Sequence, residues 1–315
     1  MQPSDANLRR GTAPPGAVVV TGASTGIGRA SVLRLADAGF RVFAGVRRES
    51  DGKDLAAAGP GGRITPLRLD VCDQDQIRSA ATELAATLGP EGLAGLVNNA
   101  GIGVAGPVES LPLSELRRQF EVNVFGLVAV TQAFLPLIRA GRGRIVTIGS
   151  AGGWITMPFG GPLCASKHAV RSLNDALRLE LRASGIPVVL IDPGSIDTPS
   201  VDKFEAETDA VLDRMGPDGR RLYADAFRAM AAKAVAHERA GSPPDVLAAA
   251  VHRALTAPRP ATRRSVGAHA ALLTLLARTL PNPLLDRFRL RVLGLDRPGV
   301  WGRLPAAGRL RGPGT

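Results

Sequence analysis

Short apolar runs alternate with longer amphipathic stretches along the first two thirds of the chain. The runs are rich in Val, Ile and Leu without regular polar alternation, which is typical of parallel strands buried on both faces. They predict six strands, at residues 17–20, 41–46, 64–69, 93–97, 144–148 and 187–191. Helical periodicity marks the intervening residues 27–38, 74–88, 113–139 and 162–184. This alternation predicts an α/β fold with a doubly wound parallel sheet of Rossmann type and helices on both faces.

Beyond residue 193 the pattern loosens. Residues 199–240 are periodic but highly charged, and they are predicted to form one or two helices that serve as a substrate lid over the sheet. Ser242 is expected to cap a helix that starts at the following prolines. Residues 262–266 are predicted to form a short last strand, and the apolar, arginine-bearing residues 268–295 a helical segment interrupted by prolines.

The pattern predicts one main domain with a helical extension. The domain covers residues 15–266, and the C-terminal helical extension covers residues 267–302. Residues 1–14 and 303–315 are expected to be disordered, since they carry no periodic apolar pattern. The extension is expected to pack on the core or form a homodimer or homotetramer contact, in preference to lying on a membrane surface.

Charge changes this picture little. The net charge is +11 and the pI is about 11.0, which would suit a nucleic-acid-binding protein. However, only four of the 39 basic residues are lysines, the arginines are spread along the chain, and aromatic residues make up 4%. No nucleic-acid partner is therefore expected, and a basic groove suits an anionic cofactor equally well.

Composition indicates a cytoplasmic enzyme. The first 16 residues contain no apolar run of the kind that a secretory signal requires. No uninterrupted apolar stretch reaches the roughly 20 residues of a spanning helix. The two cysteines, Cys72 and Cys164, lie far apart and predict neither a disulfide framework nor a metal site.

A glycine-rich segment, TGASTGIG at residues 21–28, lies between the first strand and the first helix. Gly22 permits a tight turn, Gly26 lets the backbone approach a phosphate, and Gly28 allows close helix–strand packing. The helix that follows points its positive end at the phosphates. A plain tight turn is the alternative, but the strand–turn–helix context favours a dinucleotide site, in which Ser24, Thr25 and Ile27 also take part.

Five segments, taken together, resemble the short-chain dehydrogenase/reductase family. They are Gly22-x-x-x-Gly26-x-Gly28, Asp70-Val71, residues 98–101 (NNAG), Asn123 and Pro193-Gly194, in that order. The tail at residues 262–295 is similar, more loosely, to the C-terminal extension of retinol-dehydrogenase-like and hydroxysteroid-dehydrogenase-like members. The resemblance implies cofactor contacts by a further set of residues. These are Asp70 and Val71 at the adenine, Asn98, Ala100 and Gly101 near the ribose, and Pro193, Ile196 and Thr198 at the nicotinamide.

The end of the second strand selects the cofactor. An NAD-binding chain would place an acidic residue there for the ribose hydroxyls. This chain has Val46 followed by Arg47 and Arg48, and a guanidinium suits the 2′-phosphate of NADP(H). Although both arginines can also be read as solvated loop residues, the sequence favours NADP(H) over NAD(H), with Arg47 as the phosphate ligand.

The resemblance implies a catalytic set of Ser, Tyr, Lys and Asn, with Tyr and Lys spaced one helical turn apart. Ser150, Lys167 and Asn123 match three of these positions, and Lys167 would also hold the nicotinamide ribose. Leu163 occupies the tyrosine position. Leucine can neither donate nor accept a proton. Other candidate donors are expected to point elsewhere or to serve as packing residues: Tyr223, His168 and Cys164.

Three explanations of Leu163 stay open at this stage. In the first, the substrate needs little acid assistance or is protonated through water. In the second, the chain is a non-redox relative. In the third, the substitution is engineered or incidental. The leading hypothesis is an NADP(H)-dependent oxidoreductase acting on an apolar carbonyl, alcohol, or activated alkene or imine. The alternative is a non-redox NADP(H)-binding protein. An apolar pocket is predicted under the lid, lined by Gly152, Trp154, Met157, Phe159 and Leu163.

Overall fold

A seven-stranded parallel sheet forms the centre of the molecule in the computed structural model, which describes residues 16–302. The strand order is β3-β2-β1-β4-β5-β6-β7. The strands are β1 (Ala17–Val20), β2 (Arg41–Val46), β3 (Ile64–Arg68), β4 (Gly95–Asn98), β5 (Arg144–Ile148), β6 (Val188–Pro193) and β7 (Arg263–Val266). The doubly wound parallel fold is thereby confirmed. The predicted arms at 1–14 and 303–315 lie outside the described residues, and the division at residue 266 stays a prediction.

Helices connect these strands on both faces of the sheet. They are α1 (Gly26–Asp37), α2 (Glu49–Ala58), α3 (Gln74–Leu88), α4 (Leu113–Phe120), α5 (Leu127–Ala140), α6 (Gly161–Glu180), α7 (Pro199–Arg214), α8 (Gly216–Arg239), α9 (Pro244–Thr256), α10 (Ala270–Thr279) and α11 (Asn282–Val292). The sequence pattern did not predict α2, because its apolar face is short and only Gly52 and Leu55 are buried.

The strands divide the core into two layers. In β1, Val18 and Val20 face one side of the sheet, where α1 and α9 pack, and Val19 faces the other. Phe134 and Ile138 of α5 fill that second layer together with residues of α3. Because successive strand residues point to opposite faces, both layers require apolar residues, which explains why the strands read as continuous apolar runs.

One continuous helical segment, Leu113–Ala140, is long and apolar enough by length and composition to cross a membrane. It is the only such segment among residues 16–302, and 44% of its apolar window is buried inside the protein. Since α5 supplies core residues to the sheet, the segment has the character of a core helix. A π-helical turn, Glu121–Gly126, interrupts it and carries Asn123.

The C-terminal part differs from the sequence prediction in one detail. Ser242 was expected to cap α9, but Pro243 occupies the cap position and makes no side-chain hydrogen bond. The Ser242 hydroxyl instead accepts from Ala268 N at 3.1 Å, and so joins the start of α9 to the chain after β7. The hydroxyl is turned toward Ala268 because residues 194–197 run alongside both segments.

Candidate active site

The glycine turn at residues 21–28 leaves no room for a side chain at Gly22 or Gly28. Gly22 and Gly26 have positive φ angles of 62° and 53°. A Cβ on Gly28 would overlap the Gly22 carbonyl oxygen and would lie 2.6 Å from Asn99 Nδ2. Thr25, at the cap of α1, makes no side-chain cap, and the first turn of α1 contains no acidic residue. The free N–H groups of α1 are therefore available to an anion, so the cradle fits a dinucleotide pyrophosphate.

Residues after β4 hold this turn in place. Asn99 Nδ2 donates to Thr21 O at 2.9 Å and to Gly22 O at 3.0 Å. The Thr21 hydroxyl accepts from Asn99 N and Ala100 N, both at 3.0 Å. Asn98 points the other way, and its Nδ2 donates to Thr131 Oγ1 of α5 at 2.9 Å. Asn98 thus fixes the sheet to α5, while Ala100 and Gly101 continue past the turn.

The two arginines after β2 differ in their partners. Arg48 pairs with Asp51 at 2.8 Å across the start of α2. Arg47 is exposed and makes no hydrogen bond or ion pair within residues 16–302. Burial raises the pKa of the Cys72 thiol and the charge of Arg47 opposes that rise, and Cys72 directly follows Asp70 and Val71 of the predicted adenine site. Asp70 Oδ1 accepts from Cys72 N at 3.0 Å, and Val71 is buried.

The segment after β6 meets an acidic side chain from the lid. Ile196 N, predicted to contact the nicotinamide, donates to Glu238 Oε2 of α8 at 3.0 Å. Burial raises the pKa of the Glu238 carboxyl, and the hydrogen bond from Ile196 opposes that shift. Pro193 ends β6, and the Thr198 hydroxyl lies 2.6 Å from Ser200 Oγ.

Ser150 follows β5 and caps a short turn. Its Oγ accepts from Gly152 N at 2.9 Å, which leaves the hydroxyl proton free to be donated. Its backbone N–H donates to Asp192 Oδ1 at 3.2 Å. The Trp154 indole donates to the other oxygen, Asp192 Oδ2, at 2.8 Å.

Lys167 carries a partly buried positive charge in the site. Its Nζ donates to Ile148 O at 2.9 Å, the last residue of β5, so Lys167 and Ser150 lie at the same strand end. Burial lowers the pKa of Lys167 to about 8, and the negative charge of Asp192 opposes the shift. An ammonium with such a pKa carries a proton that is readily exchanged near neutrality.

Asn123 lies in a buried amide network. Its Oδ1 accepts from Ile102 N at 2.8 Å, and its Nδ2 donates to Ile102 O and to Ser166 Oγ at 3.0 and 3.1 Å. Gln119 binds the same loop through Val104 N at 2.6 Å. Ser166 Oγ donates to Leu163 O at 2.8 Å. The π-helical turn, the loop after β4 and the start of α6 are therefore locked together.

Leu163 lies on the first turn of α6, one turn before Lys167, and is half-buried. Its Cδ2 would lie 3.7 Å from a Cβ on Gly103, so it points toward the loop after β4. The alternative proton donors are engaged elsewhere. Tyr223 donates to Glu109, and His168 Nδ1 lies 2.9 Å from Cys164 O. Burial raises the pKa of the Cys164 thiol, which keeps it neutral.

The predicted pocket lining separates into two groups. Phe159, in a left-handed backbone conformation with φ of 63°, packs with Phe227 and Trp301 in the buried apolar cluster beneath the lid. Trp154 differs from the prediction, because the guanidinium groups of three arginines lie against its ring. The indole N–H, satisfied by Asp192, turns the ring toward β7 and α10.

The sequence prediction missed four residues that hold the site: Asp192, Glu238, Gln119 and Ser166. Each is a buried or largely buried polar side chain whose partner lies far away in sequence. For Asp192 a signal was present, since a carboxylate directly before Pro193-Gly194 interrupts an otherwise apolar strand. Within residues 16–302 no three His, Cys, Asp or Glu side chains form a metal-binding group.

The chain is similar to known dehydrogenases and reductases over most of its length. The profile of the family described as short chain dehydrogenase matches residues 16–209. An NADPH-dependent 3-dehydrocapnine reductase from Ornithobacterium rhinotracheale is 34% identical over 85% of this chain and 94% of its own length. Retinol dehydrogenase 5 from Mus musculus is 33% identical over 85% and 86%. A short-chain dehydrogenase structure from Streptomyces avermitilis superposes with a TM-score of 0.68 at 29% identity, covering 90% of this chain and 96% of that one.

Proposed function

The chain belongs to the short-chain dehydrogenase/reductase family, and from this premise we propose that it is an NADP(H)-dependent oxidoreductase for an apolar carbonyl, alcohol, or activated alkene or imine. One observation supports the proposal most strongly: Ser150 and Lys167 lie together at the end of β5. The glycine turn opens at the same edge of the sheet. Ligand sites in open α/β sheets lie at this edge.

The cofactor is NADP(H). The Ornithobacterium relative is named an NADPH-dependent reductase. Arg47 adds a physical reason, since it is exposed at the end of β2 without an ion pair among the described residues, whereas Arg48 is engaged by Asp51. A free guanidinium next to the adenosine ribose can form charge-assisted hydrogen bonds with a 2′-phosphate. Lys167 is proposed to hold the nicotinamide ribose.

We further propose that Leu163 stands at the proton-transfer position that tyrosine occupies elsewhere in the family. The spacing of four residues before Lys167 and thirteen after Ser150 supports this assignment. A bound nicotinamide would supply the hydride-transfer chemistry. Ser150 Oγ can donate its free proton to a substrate oxygen, and Lys167 Nζ holds a proton that is mobile near neutrality. Asn123 keeps the loop after β4 in place.

The missing hydroxyl restricts the substrates that can react quickly. Loss of a positioned general acid costs about 10²–10⁴-fold in rate. Simple ketones should therefore react slowly, and substrates whose reduction needs little acid assistance should react faster. Phe159 packs with the lid residues Leu212 and Met215 in a buried apolar cluster, and this apolar surrounding, with the half-buried Leu163, supports an apolar substrate.

The second candidate is a non-redox NADP(H)-binding protein, and Leu163 is the observation that favours it. The two candidates separate in one experiment, in which purified protein and NADPH are mixed with ketones, enones, imines and quinones. The oxidoreductase proposal expects NADPH oxidation with at least one class, enones or quinones above ketones. Binding of NADPH by fluorescence titration without any turnover would select the non-redox candidate. Absence of binding would reject both.

We also propose that the chain is cytoplasmic and forms a homodimer or homotetramer. Exposed apolar side chains on adjoining helices support self-association, among them Leu113 of α4, Phe125 of the π-helical turn and Leu173 of α6. Further leucines on α10 and α11 are exposed, including Leu275 and Leu284. Light scattering on the purified protein gives the test, and a monomer at micromolar concentration would contradict the proposal.

A further inference from the structure

Asp192 is a carboxylate buried beside the site, at the end of β6, with 1% of its surface exposed. Both of its oxygens accept hydrogen bonds from the catalytic segment: Oδ1 from Ser150 N at 3.2 Å and Oδ2 from Trp154 Nε1 at 2.8 Å. A Cβ on Gly149 would overlap Oδ1, so the carboxylate packs directly against the backbone before Ser150. One side chain thus fixes both ends of the turn that Ser150 caps.

Trp154 is in turn fixed by arginines from three elements. The guanidinium carbons of Arg171 on α6, Arg263 on β7 and Arg278 on α10 lie 3.8, 4.8 and 5.6 Å from the centroid of its ring. Arg171 also donates to Gly153 O at 2.9 Å. Such cation–π contacts hold an aromatic ring in one orientation. The indole N–H is therefore aimed at Asp192 by residues that include part of the C-terminal extension.

The charges around Asp192 are Lys167 on α6 and Arg263 on β7, with Arg171 and Arg278 beyond the indole. Asp175 on α6 neutralises Arg263 through a 2.6 Å ion pair. Lys167 Nζ binds Ile148 O, and Asp192 Oδ1 packs against the next residue, Gly149, so both groups lie at the end of β5. The negative charge of Asp192 opposes the fall in the Lys167 pKa, and burial raises the pKa of Asp192 in turn. Without such compensation, an ammonium in a desolvated position would tend to lose its proton.

We propose, building on the oxidoreductase function above, that Asp192 and Trp154 form a positioning pair that fixes Ser150 and holds a negative charge toward Lys167. Neither residue touches the reacting atoms. Their role is to set the orientation of the Ser150 hydroxyl and the charge of the Lys167 ammonium. In a chain with Leu163 at the tyrosine position, these two groups are the remaining side-chain proton donors, so their positioning matters more.

The first test measures NADPH affinity against pH by fluorescence titration and needs no turnover. In the wild-type protein we expect the affinity to fall as pH rises through about 8, where Lys167 loses its proton. Lys167→Met should remove this dependence and so identify its origin. Asp192→Asn keeps the shape but removes the charge, and should move the midpoint to lower pH by about one unit.

Asp175→Asn is the matched control, because it removes a carboxylate from the same arginine cluster without touching Ser150 or Lys167, and its midpoint should stay at the wild-type value. Two results would overturn the charge-setting role. One is a midpoint of NADPH affinity against pH that is unchanged in Asp192→Asn. The other is a wild-type pH dependence that shows no midpoint near pH 8, or one that persists in Lys167→Met. If the wild-type protein binds NADPH but oxidises it with no substrate, only the proposed function is rejected. The pH dependence of NADPH affinity still tests the present inference.

The second test uses turnover to examine the position of Ser150. Ser150 N–H and the Trp154 indole N–H both donate to Asp192. In Asp192→Asn the amide N–H₂ must therefore face one of these two donors, and that hydrogen bond is lost. We expect kcat to fall by about tenfold, with NADPH affinity at pH 7 changed by less than about threefold. Trp154→Phe removes one donor and keeps an aromatic ring.

In the double variant Asp192→Asn/Trp154→Phe, the amide oxygen is free to accept from Ser150 N while its N–H₂ meets no donor. If the two residues act as a pair, kcat of the double variant should be higher than kcat of Asp192→Asn alone. Losses that multiply independently, with no recovery, would show that the two residues do not act as a pair.

Discussion

The glycine turn at residues 21–28 and the segment at residues 150–167 lie at the same edge of one sheet, but their polar groups are in opposite states. The turn presents backbone N–H groups at the start of α1 that no side chain caps. In the second segment the polar side chains are already bonded within the protein, Ser150 to Gly152 and Lys167 to Ile148. The first region is open to a ligand, and the second is held by its own network.

The difference shows how each region is specified. The turn depends on missing side chains at three glycines and on one neighbour, Asn99. The second segment depends on Asp192, which lies 42 residues further along the chain than Ser150, and on arginines from β7 and α10. Local sterics thus create the binding cradle, whereas long-range contacts set the chemistry.

The largest effect is expected in the turn. Gly28→Ala places a methyl group against the Gly22 carbonyl and the Asn99 amide, both of which are fixed by backbone contacts. NADPH affinity should fall by more than about 100-fold, since the turn must open to relieve the overlap. Gly160→Ala is the control, because a Cβ there meets its neighbours at 3.4 Å or more. Equal affinities of both variants, measured by fluorescence titration, would refute the steric account of the cradle.

Cofactor selectivity should respond to one of two adjacent arginines. Arg47→Ala is expected to lower the preference for NADPH over NADH by roughly 10–100-fold, the loss of charge-assisted hydrogen bonds to the 2′-phosphate. Arg48→Ala should change the ratio little, since Arg48 is paired with Asp51. Dissociation constants for both cofactors give the measurement. A larger effect from Arg48 than from Arg47 would reverse this assignment.

In the segment at residues 150–167, a smaller effect is expected, and it concerns the free energy of unfolding. The pKa of Lys167 falls on folding from 10.5 to about 8, so the unfolded chain binds more protons between these values and stability rises with pH in that window. Lys167→Met removes the partly buried charge, and at pH 7 it should stabilise the cofactor-free protein by about 1–3 kcal/mol. The gain should shrink toward pH 10. Thermal unfolding at both pH values measures it, and a destabilised variant at pH 7 would contradict the buried-charge account.

The sequence predicted the parts of the molecule that local rules determine. Strands β1, β2 and β5 match the prediction residue for residue, since buried parallel strands require unbroken apolar runs. The glycine turn was found because its steric demands lie within eight residues. Asp192 and Glu238 were missed, because a buried carboxylate is explained only by donors that the fold brings from elsewhere. Trp154 was placed in an apolar wall, since its arginine neighbours are distant in sequence.

The most direct test of the account compares Leu163→Tyr with Leu163→Phe in the reduction of a simple apolar ketone by NADPH. If Ser150, Lys167 and the cofactor cradle are intact, the tyrosine hydroxyl should restore the missing acid and raise kcat/KM by about 10²–10⁴-fold. Phenylalanine supplies the same ring without the hydroxyl and should leave the rate near that of the wild-type protein. A rate in Leu163→Tyr no higher than in Leu163→Phe, with NADPH binding retained by both, would contradict the assignment of Leu163 to the proton-transfer position.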